Sequence, residues 1–239
     1  MKKLLVGLLL VVVSISHAHA FEEKALKNLK AFKKCKKCDL SGADLHGQNL
    51  KKVDLSKANL RGANLEGANL QGANLRKTDF TGAKLKKAKL SWFMYKAKLG
   101  KADLTNADLT GADLRSADLI GTNLTGATMK ATNLKGAKLI GANLDKANLD
   151  GSQLQGADFS GASLKKANLS NTVLEKTNLS KADLSGTRFN LAWLKDMTLN
   201  GVNLSGVDLS NADLENVSMD GAILCRTRLP QGEVNSGCK

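Results

Sequence analysis

The stretch "ADLTNADLTGADLRSADL", residues 102–119, repeats one unit: a small residue, Asp or Asn, Leu, a polar residue, then Gly or another polar residue. With the Leu as centre, units recur every fifth residue from Leu40 to Leu90, once at Met94, and every fifth residue again from Leu99 to Leu229, giving 39 centres. All centres are Leu except Phe80, Met94, Met129, Phe159, Phe189 and Met219. Two residues before the centre, Ala fills 23 of the 39 positions. A period of five is neither the 3.6 of a helix nor the 2 of a strand. One large and one small apolar residue per unit predict a solenoid that lines its interior with both and then turns a corner. Gly two residues after many centres supplies the positive φ that such corners need. Asp or Asn before the centre suits side-chain bonds to nearby backbone.

The tandem A(D/N)LXX pattern, running from Cys38 to Leu229, resembles the pentapeptide-repeat family. The resemblance implies an all-β solenoid: a right-handed quadrilateral β-helix with four quintets per coil. Residues 20 apart would then stack, and a strand-like spacing of ~4.8 Å gives about ten coils and a rod ~45–50 Å long. Each coil of such a rod touches only its neighbours, so both ends need caps.

Residues 1–20 read as a cleaved secretory signal: Lys2 and Lys3, a short apolar run from Leu4 to Ile15, and the A-x-A site Ala18-His19-Ala20. The expected location is exported, periplasmic or secreted. Residues 21–37 read as an amphipathic capping helix and C-x-x-C segment, with Ala25, Leu26, Leu29 and Phe32 on one face; a membrane-surface helix is the alternative. Residues 38–229 form the repeat, and 230–239 a polar C-terminal tail. Met197, Val202, Val207 and Val217 replace Ala near that end and predict a repacked interior. The C-terminal end is expected to be capped, and its open backbone edges also offer a homodimer face.

On the rod that the resemblance implies, Cys35 and Cys38 lie at one end and Cys225 and Cys238 at the other, too far apart for cross-rod bonds. Export favours oxidation, so the pairs Cys35–Cys38 and Cys225–Cys238 are expected, each fastening a cap. Redox and metal readings of C-x-x-C remain open, although it closes a predicted helix and only His46 lies near.

The beat slips once, at "KLSWFMYKAKL", residues 89–99, where nine residues separate Leu90 from Leu99. Trp92 or Phe93 is expected in the small inward slot, Met94 at the centre and Tyr95 outside. A bulge accounts for this; the neighbouring charge also marks a candidate binding face. Lys84, Lys86, Lys87, Lys89, Lys96, Lys98 and Lys101 fall within 18 residues. Stacking at 20 residues adds Arg76, Lys77, Arg115 and Lys135 beside Tyr95, and places Lys57, Lys176, Trp193 and Lys195 further along that side. Asp113, Glu175, Asp196 and Glu215 dilute the charge.

Function is read by class. The chain carries a formal charge of +14. It holds no G-x-S-x-G, no phosphate-cradling glycine loop and, past the signal, one histidine, so catalysis, a cofactor and a metal centre are not expected. The best-understood members of the resembled family protect DNA gyrase by mimicking DNA with an acidic face; a basic, exported chain departs on both counts. A rigid module docking an unidentified protein partner is expected. The alternative is binding of anionic envelope polymers, a membrane surface or nucleic acid through the Lys-rich face near Trp92–Tyr95 and Trp193.

Overall fold

The computed structural model describes Leu29, residues 33–90 and residues 92–238. Its backbone is a parallel β-helix built from single bridges rather than long strands. Four columns of bridges climb the molecule, one per side. Side A begins at Asp39, side B at Asp44 and side C at Asn49. Side D begins at Lys34 and continues through Asp54, Asn74, Phe93, Asp113, Asn133, Gln153, Val173 and Trp193 to Asp213. The first bridge, Lys34 to Asp54, starts the stack one quintet earlier than the repeat pattern indicated, with Cys35 buried at the place of a centre.

Each coil is held to the next by backbone bonds in both directions. Leu104 N–H donates to Asn123 O at 2.7 Å, and Asn123 N–H donates to Ala102 O at 3.0 Å. The interior is a column of buried centres flanked by small residues, Phe80, Phe159 and Phe189 being the largest, and in the last coil Leu214, Met219, Leu224 and Leu229 are only partly buried. Where Thr or Ser replaces the small Ala, its hydroxyl donates to a centre's carbonyl, usually one coil below, as from Thr132 to Leu109 O at 3.0 Å and Ser152 to Met129 O at 2.7 Å, but from Thr172 to Leu169 O of its own coil at 2.6 Å. Polar residues therefore enter the core without an unpaired hydroxyl.

Corners form as expected. The Asp39 carboxylate accepts the Ser41 N–H at 2.9 Å, and the same turn recurs along the chain. The second corner residue has positive φ throughout, from Gly42 at 67° to Gly221 at 66° on the corner leading from A to B. Lys also occupies this strained position, including Lys57, Lys77 and Lys96.

At the C-terminus two short strand pairs close the stack. Strand β1 (Met197–Thr198) pairs in parallel with β2 (Val217–Ser218), where Met197 and Val217 replace Ala. Strand β3 (Thr227–Leu229) turns at Pro230 and pairs antiparallel with β4 (Gly232–Val234). The tail then folds back, with Leu224 N–H donating to Ser236 O at 2.9 Å. Both expected disulfides form, Cys35–Cys38 and Cys225–Cys238, the second fastening this returning tail. The expected N-terminal helix and signal lie outside the described residues apart from Leu29, which is buried and whose carbonyl accepts the Lys33 N–H at 3.2 Å.

Because the core is a column of interlocked rings, truncating one centre should be felt strongly. Phe159→Ala is expected to cost about 3–5 kcal/mol in denaturant unfolding, whereas Ile140→Ser on the surface changes stability by less than about 0.5 kcal/mol.

Candidate interaction face

The slip shortens one coil. Bridges step by 20 residues up to Asn69–Lys89, by 19 from Asn74–Phe93 to Lys89–Asp108, and by 20 again from Phe93–Asp113 onward. Met94 is buried at the centre position, as expected. Trp92 takes the backbone place of the small residue, its carbonyl accepting the Asp113 N–H at 2.8 Å. Its side chain does not take the slot. The indole is 67% exposed, and the Phe93 ring is 41% exposed. This corrects the expectation that one of them fills the interior. A slot that holds Ala with no room to spare has no volume for an indole, so Trp92 turns outward over Gly111 of the next coil. Beside it, Gln71, Gly72, Leu90, Trp92, Asp108 and Thr110 border a hollow of about 520 Å³.

Phe93 stands on side D where the neighbouring levels place Asn74 and Asp113, and the Arg76 guanidinium lies 4.9 Å from its ring centroid. Tyr95 follows on the same side between two cations, Lys96 at 5.2 Å and Arg115 at 5.7 Å. Arg115 grips Asp113 with two nitrogens, each 2.8 Å from a carboxylate oxygen. That hydrogen-bonded grip holds the Asp113 carboxyl below the usual carboxylate range, against the opposing effect of partial burial.

Stacking sorts the lysines that the sequence groups together. Lys84 lies in the bridge column of side B, with Lys86 and Lys87 at the corner that follows it. Lys89 lies on side C and Lys98 on side A. Only Tyr95 and Lys96 of that cluster belong to side D. What joins them there comes from distant sequence: Lys57, Arg76, Lys77, Arg115 and Lys135. Through the level of Asn133, side D and the corner after it carry nine Lys or Arg (Lys34, Lys36, Lys37, Lys57, Arg76, Lys77, Lys96, Arg115 and Lys135) against Asp54 and Asp113. Four of these, Lys37, Lys57, Lys77 and Lys96, stack at consecutive levels in the positive-φ position that Gly takes at most levels of the A-to-B corner. Lys takes this conformation at other corners as well, at Lys52, Lys87, Lys101, Lys146, Lys166 and Lys181, but only here do four stand at consecutive levels.

Beyond Gln153 the same side changes sign. Glu175, Asp196, Asp213 and Glu215 outnumber Lys176 and Lys195. Lys195 pairs with Glu215 at 2.6 Å, and Lys176 with Glu175 at 3.4 Å. Trp193 is 61% exposed here, and Leu191, at the preceding corner, is 57% exposed with φ of 55°. Val173 lies one level below Trp193. Trp193 thus shares side D with Tyr95, as expected; the strained Leu191 beside it carried no sequence signal beyond a missing Gly. Among the described residues no cluster of three or more His, Cys, Asp or Glu could hold a metal ion, and no helix is long and apolar enough to cross a membrane.

The family described as Pentapeptide repeats matches this chain in eight copies, covering residues 38–76, 58–92, 94–130, 129–165, 152–190 and 194–229. Among solved structures, the chain is similar to HetL, a pentapeptide-repeat protein involved in heterocyst differentiation regulation from Nostoc sp. strain PCC 7120. The identity is 29%, over 90% of this chain and 100% of HetL, with a TM-score of 0.43. It is also similar to full-length QnrB1, a plasmid-mediated fluoroquinolone resistance protein, at 17% identity over 81% of this chain and 92% of that one, with a TM-score of 0.41. A pentapeptide-repeat protein from the Arabidopsis thaliana thylakoid lumen is 34% identical over 54% of this chain and 66% of its own, with a TM-score of 0.19. The search of curated proteins gave no match.

Two outcomes test this geometry. Asp113 protonates at a lower pH when folded than when unfolded, so its bond to Arg115 contributes stability above the ordinary carboxylate range and loses it as pH falls through the depressed value. Carboxyl NMR titration should show Arg115→Met moving Asp113 up towards that ordinary range. Leu191→Gly, relieving a positive φ at an exposed site, should raise stability by about 0.5–1 kcal/mol in denaturant unfolding.

Proposed function

The chain belongs to the pentapeptide-repeat family, whose fold is the right-handed quadrilateral β-helix, and we propose that it is a non-catalytic interaction rod of the extracytoplasmic space that docks its partner through side D. The rod comprises about ten coils, with a helical segment that ends before Lys33 as a cap on its first ring. The observation that carries the reading is the gathering, on one face, of Phe93, Tyr95 and nine cations drawn from residues 34–135. Rings and guanidinium groups are the side chains that dominate interfaces, and a rigid scaffold holds them at fixed spacing. Export is supported by the signal-like residues 1–20 and by two disulfides, which persist in oxidising compartments.

The same concentration of charge favours a second reading, in which the partner is an anionic envelope polymer or lipid surface. Its mark is salt dependence, since each phosphate neutralised adds about 0.9 to the log–log slope on a duplex polyanion. Gyrase-type mimicry finds no support in a face of this sign.

The test compares residues 21–239 with two variants on phosphatidylglycerol vesicles, on double-stranded DNA and in partner capture from envelope extract. One variant carries Arg76→Gln, Lys77→Gln and Lys96→Gln with Tyr95→Ser. The other carries Lys84→Gln, Lys86→Gln, Lys87→Gln and Lys89→Gln. Side D docking predicts that the first variant loses about tenfold or more in affinity and that the second retains most of it. Equal losses would mean that net charge alone is read, and no loss in either would remove side D as the docking face.

A further inference from the structure

Side D changes sign halfway along, and its two halves match each other. Resting on the reading of side D as the docking face, we propose that one of its partners is a second copy of this chain, paired side by side and antiparallel about a two-fold axis between the levels of Asn133 and Gln153.

The axis position follows from the bridge register. Phe93 and Trp193 are five levels apart on side D, and the midpoint falls between Asn133 and Gln153. At the axis Asn133, Gln153 and Gln155 are uncharged, Lys135 faces Gln155 of the other copy, and the corners are Gly136 and Gly156, so two faces can approach closely. A two-fold axis lying along the strands in the plane of contact inverts the levels and keeps each corner opposite the same corner. Every residue one step before a centre then meets another such residue, and likewise for the positions after it.

The resulting pairs are complementary. Phe93 meets Trp193, and the outward Trp92, just before Phe93, lies opposite the corner that carries Leu191, so four of the seven exposed large apolar residues among the described residues gain apolar neighbours. One level outward, Arg76 meets Glu215. One level inward, Arg115 meets Glu175, and at the far corner Lys96 meets Asp196. Glu215 and Glu175 already touch Lys195 and Lys176; those are exposed pairs of little intrinsic value, free to exchange or to share. The parallel arrangement lacks this match, because it sets each level against itself, basic levels on basic and acidic levels on acidic.

The contact is isologous, as two-fold dimers require. Eight levels at ~4.8 Å and a side about four residues wide bury on the order of 500 Å² per copy, at the low end of specific interfaces. The dimer is therefore weak, with dissociation in the micromolar range or above, and both chains being basic overall adds to its sensitivity to charge substitution.

The experiment is sedimentation equilibrium of residues 21–239 over a wide concentration range, with folding of each variant checked by circular dichroism. Arg76→Glu alone and Glu215→Arg alone should each weaken dimerisation about tenfold or more. The double variant should regain it, because the swapped charges again face each other. Chains with Asn74→Cys mixed with chains with Asp213→Cys should be joined by a short bismaleimide, whereas Asn74→Cys chains alone should not, since the antiparallel register separates those positions by seven levels. A monomer at every concentration overturns the proposal. So does a dimer unaffected by the single charge reversals, which would point to the C-terminal end instead, or cross-linking of Asn74→Cys chains to one another. Vesicle or DNA binding that survives in a monomeric chain would leave the anionic-partner reading standing while this one falls.

Discussion

Everything in this molecule depends on one constraint: each coil must present its backbone bonds and its inward side chains at the same places as the coil below. The bonds run in both directions between coils, and the interior has room for one large and one small apolar residue per side. No coil can satisfy either condition alone, so the repeat is the fold rather than a decoration of it. The constraint also explains how Thr132 and Ser152 replace Ala: their hydroxyls reach a carbonyl of the coil below, which every register offers.

The same constraint makes the surface a second sequence, read across coils rather than along the chain. Lys84 through Lys89 look like a patch in the primary sequence and are distributed over two sides by the winding. Lys57, Lys77 and Lys96 look unrelated and stand in one line. A single lost residue before Phe93 changes what side D displays, because it places an aromatic ring between Asn74 and Asp113 and turns an indole outward.

Much of this was legible beforehand. The period of five, the inward roles of Leu and Ala and the turn-forming Asp and Asn follow from residue types at fixed positions, because each role is repeated many times; the two disulfides followed from the rod that the family resemblance implies, which sets the cysteine pairs at opposite ends. The centre role of Met94 was legible for the same reason. The placement of Trp92 was not: counting positions assigns a backbone place, while the volume of the slot decides where the side chain goes. The early start at Lys34 escaped because Cys35 substitutes for Leu and breaks the pattern. The lysines at positive φ escaped because the pattern names Gly there, and Leu191 escaped for the same reason.

The central claim is that the docking surface is assembled by stacking and not by neighbourhood in sequence. Lysine acetylation read by mass spectrometry, with and without bound phosphatidylglycerol vesicles, tests it most directly. The account predicts protection of Lys57, Lys77, Lys96 and Lys135 together, with Lys84, Lys86, Lys87 and Lys89 left reactive. Protection that follows the contiguous run from Lys84 to Lys89, or that spreads evenly over all four sides, would contradict it.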